Sequence, residues 1–248
     1  MPDAQVTPEG MARQAVGRLK ALGDPVRAAG VQWYFKETVK SFGVRTPDIR
    51  RLAAELYRTV KDTWCVADAV ALCDLLYPER ELETKGLATL ILVRFKKEFS
   101  KAMLDRIKGW LAGNYLDSWA AVDGLCPNAV GTLIEKYPGA IADIKTWSSH
   151  PNRWVKRASA VSFIKLARTP AYLPAIYEIS EALFPVDDDL VQKANGWLLR
   201  EAGKADAARL EKFLLRHGPA IPRTTLRYAI ERFAPSKRRM LLARTRSR

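Results

Sequence analysis

The sequence predicts an all-α protein of HEAT-like helical repeats that stack into a curved α-solenoid with a concave basic groove. Apolar residues recur at helical spacing, as Val130, Leu133, Ile134 and Tyr137 do at offsets 0, 3, 4 and 7. Alternating apolar and polar runs, typical of strands, are scarce. Helical segments pair at intervals of roughly 35–45 residues, the period of HEAT-like repeats. Repeats that stack in this way leave a concave surface.

Capping residues mark where several of these helices begin. Thr46-Pro47 and Thr169-Pro170 each place a hydroxyl before a proline, which is tolerated at the first helical position. Three aspartates at 187–189 precede a helical pattern, where negative charge complements the helix dipole. A metal site is the alternative for this acidic cluster, and capping is the favoured interpretation.

Length and composition limit the class of protein. The chain has 248 residues, 48% of them apolar and 27% charged, which excludes a mainly disordered protein. We expect one domain over residues 1–248, with loose ends at 1–12 and 237–248. No uncharged run approaches the roughly 18 residues of a membrane span, and no secretory signal is visible at the start. The expected location is the cytoplasm, in association with the nucleoid.

Cysteine and histidine are sparse. Cys65, Cys73 and Cys126 stand singly, which argues against disulfides and thiolate metal sites and favours a reducing compartment. His150 and His217, the two histidines, are far apart in the sequence. No Gly-rich phosphate loop is present. We therefore expect neither a metal nor a cofactor.

The charge points to a polyanionic partner. Lys and Arg number 41 against 27 Asp and Glu, a net charge of +14, which suits nucleic acid or an acidic membrane surface. Residues 216–248 hold ten Lys or Arg and one acid, Glu231, a net of 10 − 1 = +9. Non-specific attraction to phosphate is the simplest role of this segment, and a contribution to solubility is the alternative.

A first motif spans residues 114–123 and ends in Ser118-Trp119-Ala-Ala-Val-Asp123. In a helix, Trp119 and Asp123 lie four residues apart on one face. An aromatic surface beside a carboxylate suits a planar, cationic ligand. The alternative is a core tryptophan with an aspartate that caps a helix or forms an ion pair.

A second motif, at 152–157, places Arg153, Lys156 and Arg157 in the first turns of a predicted helix. Cations are unfavourable at a helix N-terminus, and an anionic partner would relieve that cost. The alternative is a solvated basic face above a core tryptophan, Trp154.

A third motif places Lys193, Trp197, Arg200 and Lys204 at offsets 0, 4, 7 and 11, which is one helical stripe. A tryptophan within a row of cations suits a surface that contacts phosphates together with sugar or base faces. Partial burial of Trp197 is compatible with this pattern, because Trp197 also borders the apolar stripe.

Four segments together resemble the DNA alkylation repair family of HEAT-like-repeat DNA glycosylases. They are Tyr34–Pro47, Ser118–Asp123, Asn152–Ala158 and Gln192–Glu201, in the order that the family has them. They cover roughly positions 30 to 230. Each segment alone is weakly specific, and the ordered set is strong.

The resemblance implies a curved all-α solenoid that cradles duplex DNA carrying alkylated bases. It implies hydrolysis of the N-glycosidic bond of positively charged alkylpurines, such as 3-methyladenine and 7-methylguanine, with the base left stacked. It also implies roles for individual residues: Trp119 and Trp197 contact the deoxyribose, Asp123 is the catalytic carboxylate, and Tyr34, Arg157 and Arg200 contact DNA. We expect a monomer.

The chemistry of the residues agrees with this activity. A cationic purine is already a good leaving group, and a carboxylate stabilises the oxocarbenium-like charge that cleavage leaves on the sugar. No lysine is obviously placed as a Schiff-base nucleophile, so a monofunctional glycosylase is expected. Two alternatives stay open: a non-catalytic HEAT-repeat protein that recognises distorted or branched DNA, and a protein-binding scaffold.

Overall fold

The computed structural model describes residues 6–246, and the regular elements in this range are helical. Extended backbone pairs there at one isolated bridge, between Lys40 and Glu81. The predicted all-α class is thus confirmed. The HEAT-like solenoid and its concave basic groove remain a prediction. None of the helices in residues 6–246 is long and apolar enough to cross a membrane.

The chain forms two compact units, the first ending at Leu125 and the second starting at Cys126. The single domain that the sequence suggests remains a prediction, since two compact units can belong to one domain.

The first unit packs around α5, most of whose residues are buried. Its helices are α1 (Pro8–Ala21), α2 (Pro25–Val31), α3 (Thr46–Val60), α4 (Val66–Leu76), α5 (Leu82–Leu92), α6 (Met103–Ala112) and α7 (Trp119–Leu125), with 3₁₀ helices at Gln32–Tyr34 and Val93–Glu98. Helix α5 contacts α1, α3, α4 and α7. Apart from its apolar residues, α5 buries two charged ones, Glu83 and Lys85.

The second unit packs around α12, which contacts α10, α11, α13 and α14. Its helices are α8 (Val130–Lys136), α9 (Ala140–Trp147), α10 (Arg153–Val161), α11 (Leu173–Ala182), α12 (Asp189–Ala202), α13 (Ala207–His217), α14 (Arg223–Ala229) and α15 (Pro235–Arg244), with 3₁₀ helices at Pro170–Tyr172 and Gly218–Ala220. A Cβ on Gly196 of α12 would lie 2.6 Å from the carbonyl oxygen of Thr225. Glycine at this position therefore allows α12 and α14 to approach closely.

Capping follows the sequence prediction at one of three positions. The Asp188 carboxylate accepts hydrogen bonds from the amides of Leu190 and Val191, both at 3.0 Å, so this aspartate caps α12. The Thr46 prediction is wrong, because α3 already includes Thr46 and the capping position belongs to Arg45. Thr169 precedes a 3₁₀ helix without a capping bond from its side chain.

Of the ends at 1–12 and 237–248 that we expect to be loose, the described parts include the start of α1 and most of α15, and their looseness remains a prediction. The Thr7 hydroxyl accepts from the Gly10 amide at 3.2 Å and so caps α1. Near the other end, Lys237 of α15 donates to the Glu211 carboxylate at 2.7 Å. Residues 1–5 and 247–248 lie outside the described range.

Candidate functional site

Trp119 and Asp123 lie on α7 in the first unit, and each is partly exposed. The buried Ser118 hydroxyl accepts from the Ala121 amide at 3.2 Å and fixes the start of this helix. The ring of Phe35 stacks on Trp119, with centroids 5.0 Å apart and planes inclined by 19°. The spacing of four residues places the Asp123 carboxylate on the same helix face as Trp119. The first unit therefore combines stacked aromatic rings and a carboxylate.

A buried lysine anchors the segment that leads into α7. The Lys85 side chain is 3% exposed, and its ammonium donates to the carbonyl oxygens of Tyr77 at 2.9 Å and Tyr115 at 2.6 Å. It also lies 3.2 Å from a carboxylate oxygen of Asp117. All three N–H groups of the ammonium thus have acceptors. Lys85 thereby fixes the backbone just before Trp119.

A buried glutamate, Glu83, holds the segment at 41–44 in place. We call the Glu83 carboxylate together with the groups of residues 41–44 that bond to it the Glu83 clamp. The Glu83 carboxylate accepts from the Ser41 hydroxyl at 2.6 Å and from the amides of Phe42, Gly43 and Val44 at 2.9–3.1 Å. Gly43 has a φ of 76°, and a Cβ there would lie 2.2 Å from the Asp24 carbonyl oxygen. Glycine is therefore required at position 43, in the turn whose amides bond to the Glu83 carboxylate.

The residues between α2 and the Glu83 clamp carry the predicted contact Tyr34. Tyr34 is 78% exposed, and Trp33 beside it is 91% exposed. Phe35, the next residue, turns inward to stack on Trp119. Of these three consecutive aromatic residues, sequence reasoning singled out only Tyr34. The run of aromatic residues at 33–35 was the available signal for the other two.

Arg157 occupies a different environment from the exposed cation that its motif suggested. It is 5% exposed, and Nη1 donates to the Leu190 carbonyl oxygen at 2.5 Å, which joins α10 to the first turn of α12. Arg153 pairs with Asp188 at 2.8 Å, with its guanidinium over the ring of Trp154. Trp154 is 4% exposed and therefore belongs to the core, as the structural alternative for this motif held.

The basic stripe on α12 is largely paired with acids. Lys193 lies 2.9 Å from the carboxylate of Asp189, Arg200 pairs with Glu231, and Lys204 bonds both carboxylate oxygens of Glu201. Trp197 is partly exposed among them. Lys156, on α10, has no acidic partner in residues 6–246 and is partly exposed. A partly exposed pair such as Lys193–Asp189 contributes roughly 0–1 kcal/mol, whereas the acid that Lys204 binds, Glu201, is buried.

The predicted site residues therefore divide between the two units. In the first unit, Trp119 and Asp123 share α7, and Tyr34 directly precedes Phe35, the residue that stacks on Trp119. The second brings Arg153 and Arg157 to the start of α12, and the remaining cations lie along α10 and α12. In the described range, no group of three His, Cys, Asp or Glu side chains is placed to hold a metal ion. The roles of all ten predicted residues remain predictions.

Comparison with known proteins identifies the family. A family model described as DNA alkylation repair enzyme matches residues 16–233, most of the chain. A solved structure described as a predicted DNA alkylation repair enzyme from Enterococcus faecalis is similar, with a TM-score of 0.73 at 18% sequence identity. The match covers 86% of this chain and 97% of that one. No curated protein matches. The structural similarity shows the fold, and the family model shows the family.

Proposed function

The chain belongs to the family of DNA alkylation repair enzymes, and on that premise we propose that it is a monofunctional DNA glycosylase. Its reaction is hydrolysis of the N-glycosidic bond of cationic alkylpurines, of the 3-methyladenine and 7-methylguanine type, in duplex DNA. The damaged base is not drawn into a pocket. Family membership supports a role in the repair of alkylated DNA.

The observation that carries the proposal is the placement of Asp123 on the same helix as Trp119. An alkylated purine leaves readily because it already bears a positive charge, so the enzyme need not protonate it. Departure of the base leaves oxocarbenium-like charge on the deoxyribose. The Asp123 carboxylate stabilises that charge and orients the attacking water, as carboxylates do in glycoside hydrolysis.

Trp119 supplies the aromatic surface for the same cation. The Phe35 ring packs against one face of the indole at 5.0 Å and restricts its rotation. A restrained ring stabilises a cation without the entropic cost of ordering at the moment of reaction. The proposal assigns a second aromatic contact of this kind to Trp197, which is partly exposed on α12.

The environment of Lys85, the buried lysine that holds the segment leading into α7, excludes this one amine as the nucleophile of a strand-cleaving reaction. A glycosylase that also cleaves the strand needs an amine that can attack the sugar. Lys85 is the one Lys that is fully buried in residues 6–246, and its ammonium is occupied by two carbonyls and Asp117. It serves as an anchor and is not available as a nucleophile.

Duplex DNA is the proposed partner, bound by a monomer in the cytoplasm with the nucleoid. The net charge of +14 provides the attraction to phosphate. The proposal assigns direct contacts to the exposed aromatic Tyr34 and to cations of the second unit, namely Arg153, Lys156, Lys193, Arg200 and Lys204. It assigns a positioning role to Arg157, which is buried and joins α10 to the start of α12.

Asp123→Asn tests the proposal. Release of 7-methylguanine from a methylated duplex, measured in a single turnover, should slow by roughly 100-fold or more, because the amide cannot stabilise the developing cation. Affinity for the duplex should change little. Asp105→Asn, at an exposed carboxylate on α6, is the matched control and should release the base at the wild-type rate.

Binding without release by the intact protein would contradict the glycosylase and favour the non-catalytic DNA-binding alternative. Binding to DNA that is weak and insensitive to salt would instead favour a protein-binding scaffold, because contacts to phosphate release counterions.

A further inference from the structure

Trp33 is the most exposed large apolar side chain in residues 6–246, with 91% of its surface accessible. Tyr34, next to it, is 78% exposed, and Val26 on the preceding helix is 83% exposed. A tryptophan normally buries a large area in a core or an interface, and exposed apolar patches mark binding surfaces. The position of Trp33 is thus unexplained by packing within the protein.

The backbone that carries Trp33 is held in place by hydrogen bonds. The Gln32 side-chain amide donates to the carbonyl oxygens of Phe35 at 3.1 Å and Glu37 at 2.9 Å, and it accepts from the Val39 amide at 3.1 Å. The Phe35 amide also donates to the Gln32 carbonyl oxygen at 3.0 Å. Gln32 thereby closes a compact turn around residues 33–38. Trp33 is presented on an ordered base, which lowers the entropic cost of using it in binding.

The same turn lies against the candidate site. Phe35, two residues after Trp33, stacks on Trp119 at 5.0 Å. Two residues of extended chain span at most about 7 Å, so the backbone of Trp33 lies within that distance of the Phe35 backbone. The backbone that carries the exposed indole therefore lies close to the residue that stacks on Trp119.

We propose that Trp33 is a DNA-contacting wedge, whose indole stacks on the bases next to the damaged nucleotide while Trp119 and Asp123 act on its sugar. This inference rests on the proposed function. Stacking suits an indole because every base has an aromatic face, and apolar side chains inserted at base steps are a recurrent way to hold distorted DNA. The wedge explains how a damaged nucleotide is gripped by a protein that provides no pocket for the base.

The test measures binding to a duplex that contains 7-methylguanine, in the Asp123→Asn background so that the lesion is not consumed. Adding Trp33→Ala should weaken binding to the damaged duplex by roughly tenfold or more, the range expected for loss of one stacked base. Binding to undamaged duplex should weaken less. Trp33→Phe should restore most of the affinity, and Leu75→Ala, at an exposed apolar residue on α4, is the matched control.

Salt dependence distinguishes stacking from attraction to phosphate. Because an indole releases no counterions, Trp33→Ala should lower affinity at every salt concentration and leave the slope of log K against log salt unchanged. A flatter slope would overturn the wedge. Unchanged affinity of Trp33→Ala for the damaged duplex would also overturn it. So would a loss of affinity that accompanies a loss of self-association in sedimentation experiments.

The two proposals fail separately. If the wild type releases no base and Trp33→Ala still weakens binding, the glycosylase is wrong and the wedge stands as a DNA contact. If the wild type releases base and Trp33→Ala matches it in affinity and single-turnover rate, the wedge alone is wrong.

Discussion

The charged residues of α5 in the first unit and the cations around Trp197 in the second lie in different environments. In the first unit, two charged residues of α5 are buried, Glu83 at 4% exposure and Lys85 at 3%. Each of them binds several backbone groups of a neighbouring segment. In the second unit, the cations around Trp197 are at least partly exposed and pair with acidic side chains, as Lys193 does with Asp189.

The difference indicates separate roles, a fixed geometry around Trp119 and Asp123 and exchangeable ion pairs around Trp197. A buried charge is costly unless several hydrogen bonds satisfy it, and a network that does so holds its segments in one geometry. Such rigidity suits the unit that carries Trp119 and Asp123, because catalysis requires fixed positions. Surface ion pairs are weak and exchange easily. That property suits the unit whose cations are proposed to contact phosphate.

The largest expected effect is on the free energy of unfolding, and it tests the buried charges of α5. Glu83→Ala leaves the Ser41 hydroxyl and the amides of residues 42–44 without their acceptor. Loss of a buried, multiply bonded carboxylate should lower the free energy of unfolding by about 3–5 kcal/mol. Urea denaturation measures the change.

Glu79→Ala is the control for the Glu83 clamp, because Glu79 is exposed between α4 and α5. It should change stability by less than about 0.5 kcal/mol. If the two variants proved equally stable, the clamp would have no energetic role, and the contrast between the units would lose its basis.

An intermediate effect separates two cations of the same helix, α10. Lys156→Ala should leave stability unchanged and reduce the slope of log K against log salt for DNA binding by about 1, since one phosphate contact is lost. Arg157→Ala should instead lower the free energy of unfolding by about 2–3 kcal/mol, because the buried Leu190 carbonyl loses its charged donor.

Measurements of salt-dependent binding and of urea unfolding on both variants decide between these roles. A normal stability for Arg157→Ala, together with a flattened salt slope, would show that Arg157 contacts phosphate directly and that its buried position is not the bound one. The resemblance implies that direct contact, and the geometry favours a positioning role.

Sequence reasoning found the parts of the site that depend on local spacing. The four-residue interval between Trp119 and Asp123 and the aspartate cap of α12 follow from helical periodicity alone, and both lie on helices as expected. The stack of Phe35 on Trp119 joins residues 84 positions apart (119 − 35), and no local pattern encodes it.

The burial of the charged residues of α5 could not be predicted from the sequence either. In the sequence, Glu83 and Lys85 resemble the solvated surface of a helix. Their burial follows from the helices that surround α5, which is a tertiary property. Arg157 shows the same limit: its motif identified a cation near a helix N-terminus, but only packing against α12 decides that this cation points inward.

The smallest expected effect comes from a buried polar group of the second unit. Unlike the Glu83 carboxylate, this group has no hydrogen-bond partner in the described range. The Tyr177 side chain is 7% exposed, and its hydroxyl has no hydrogen-bond partner in residues 6–246. Tyr177→Phe removes that unsatisfied group and should raise the free energy of unfolding by about 1 kcal/mol. Tyr228→Phe, at an exposed ring, is the control and should be neutral.

The pH dependence gives Tyr177 a second, independent signature. Burial raises the pKa of Tyr177 to about 12, above the value near 10 of an unfolded chain. Its neutral form is therefore favoured in the folded state, and the stability that this provides is complete below pH 10 and lost as the pH rises through 12. In urea unfolding at pH 8 and pH 11, Tyr177→Phe should lose less stability at the higher pH than the wild type does. An identical loss in both proteins would mean that this phenol ionises as freely in the folded chain as in the unfolded one, and that the second unit buries no unpaired polar group here.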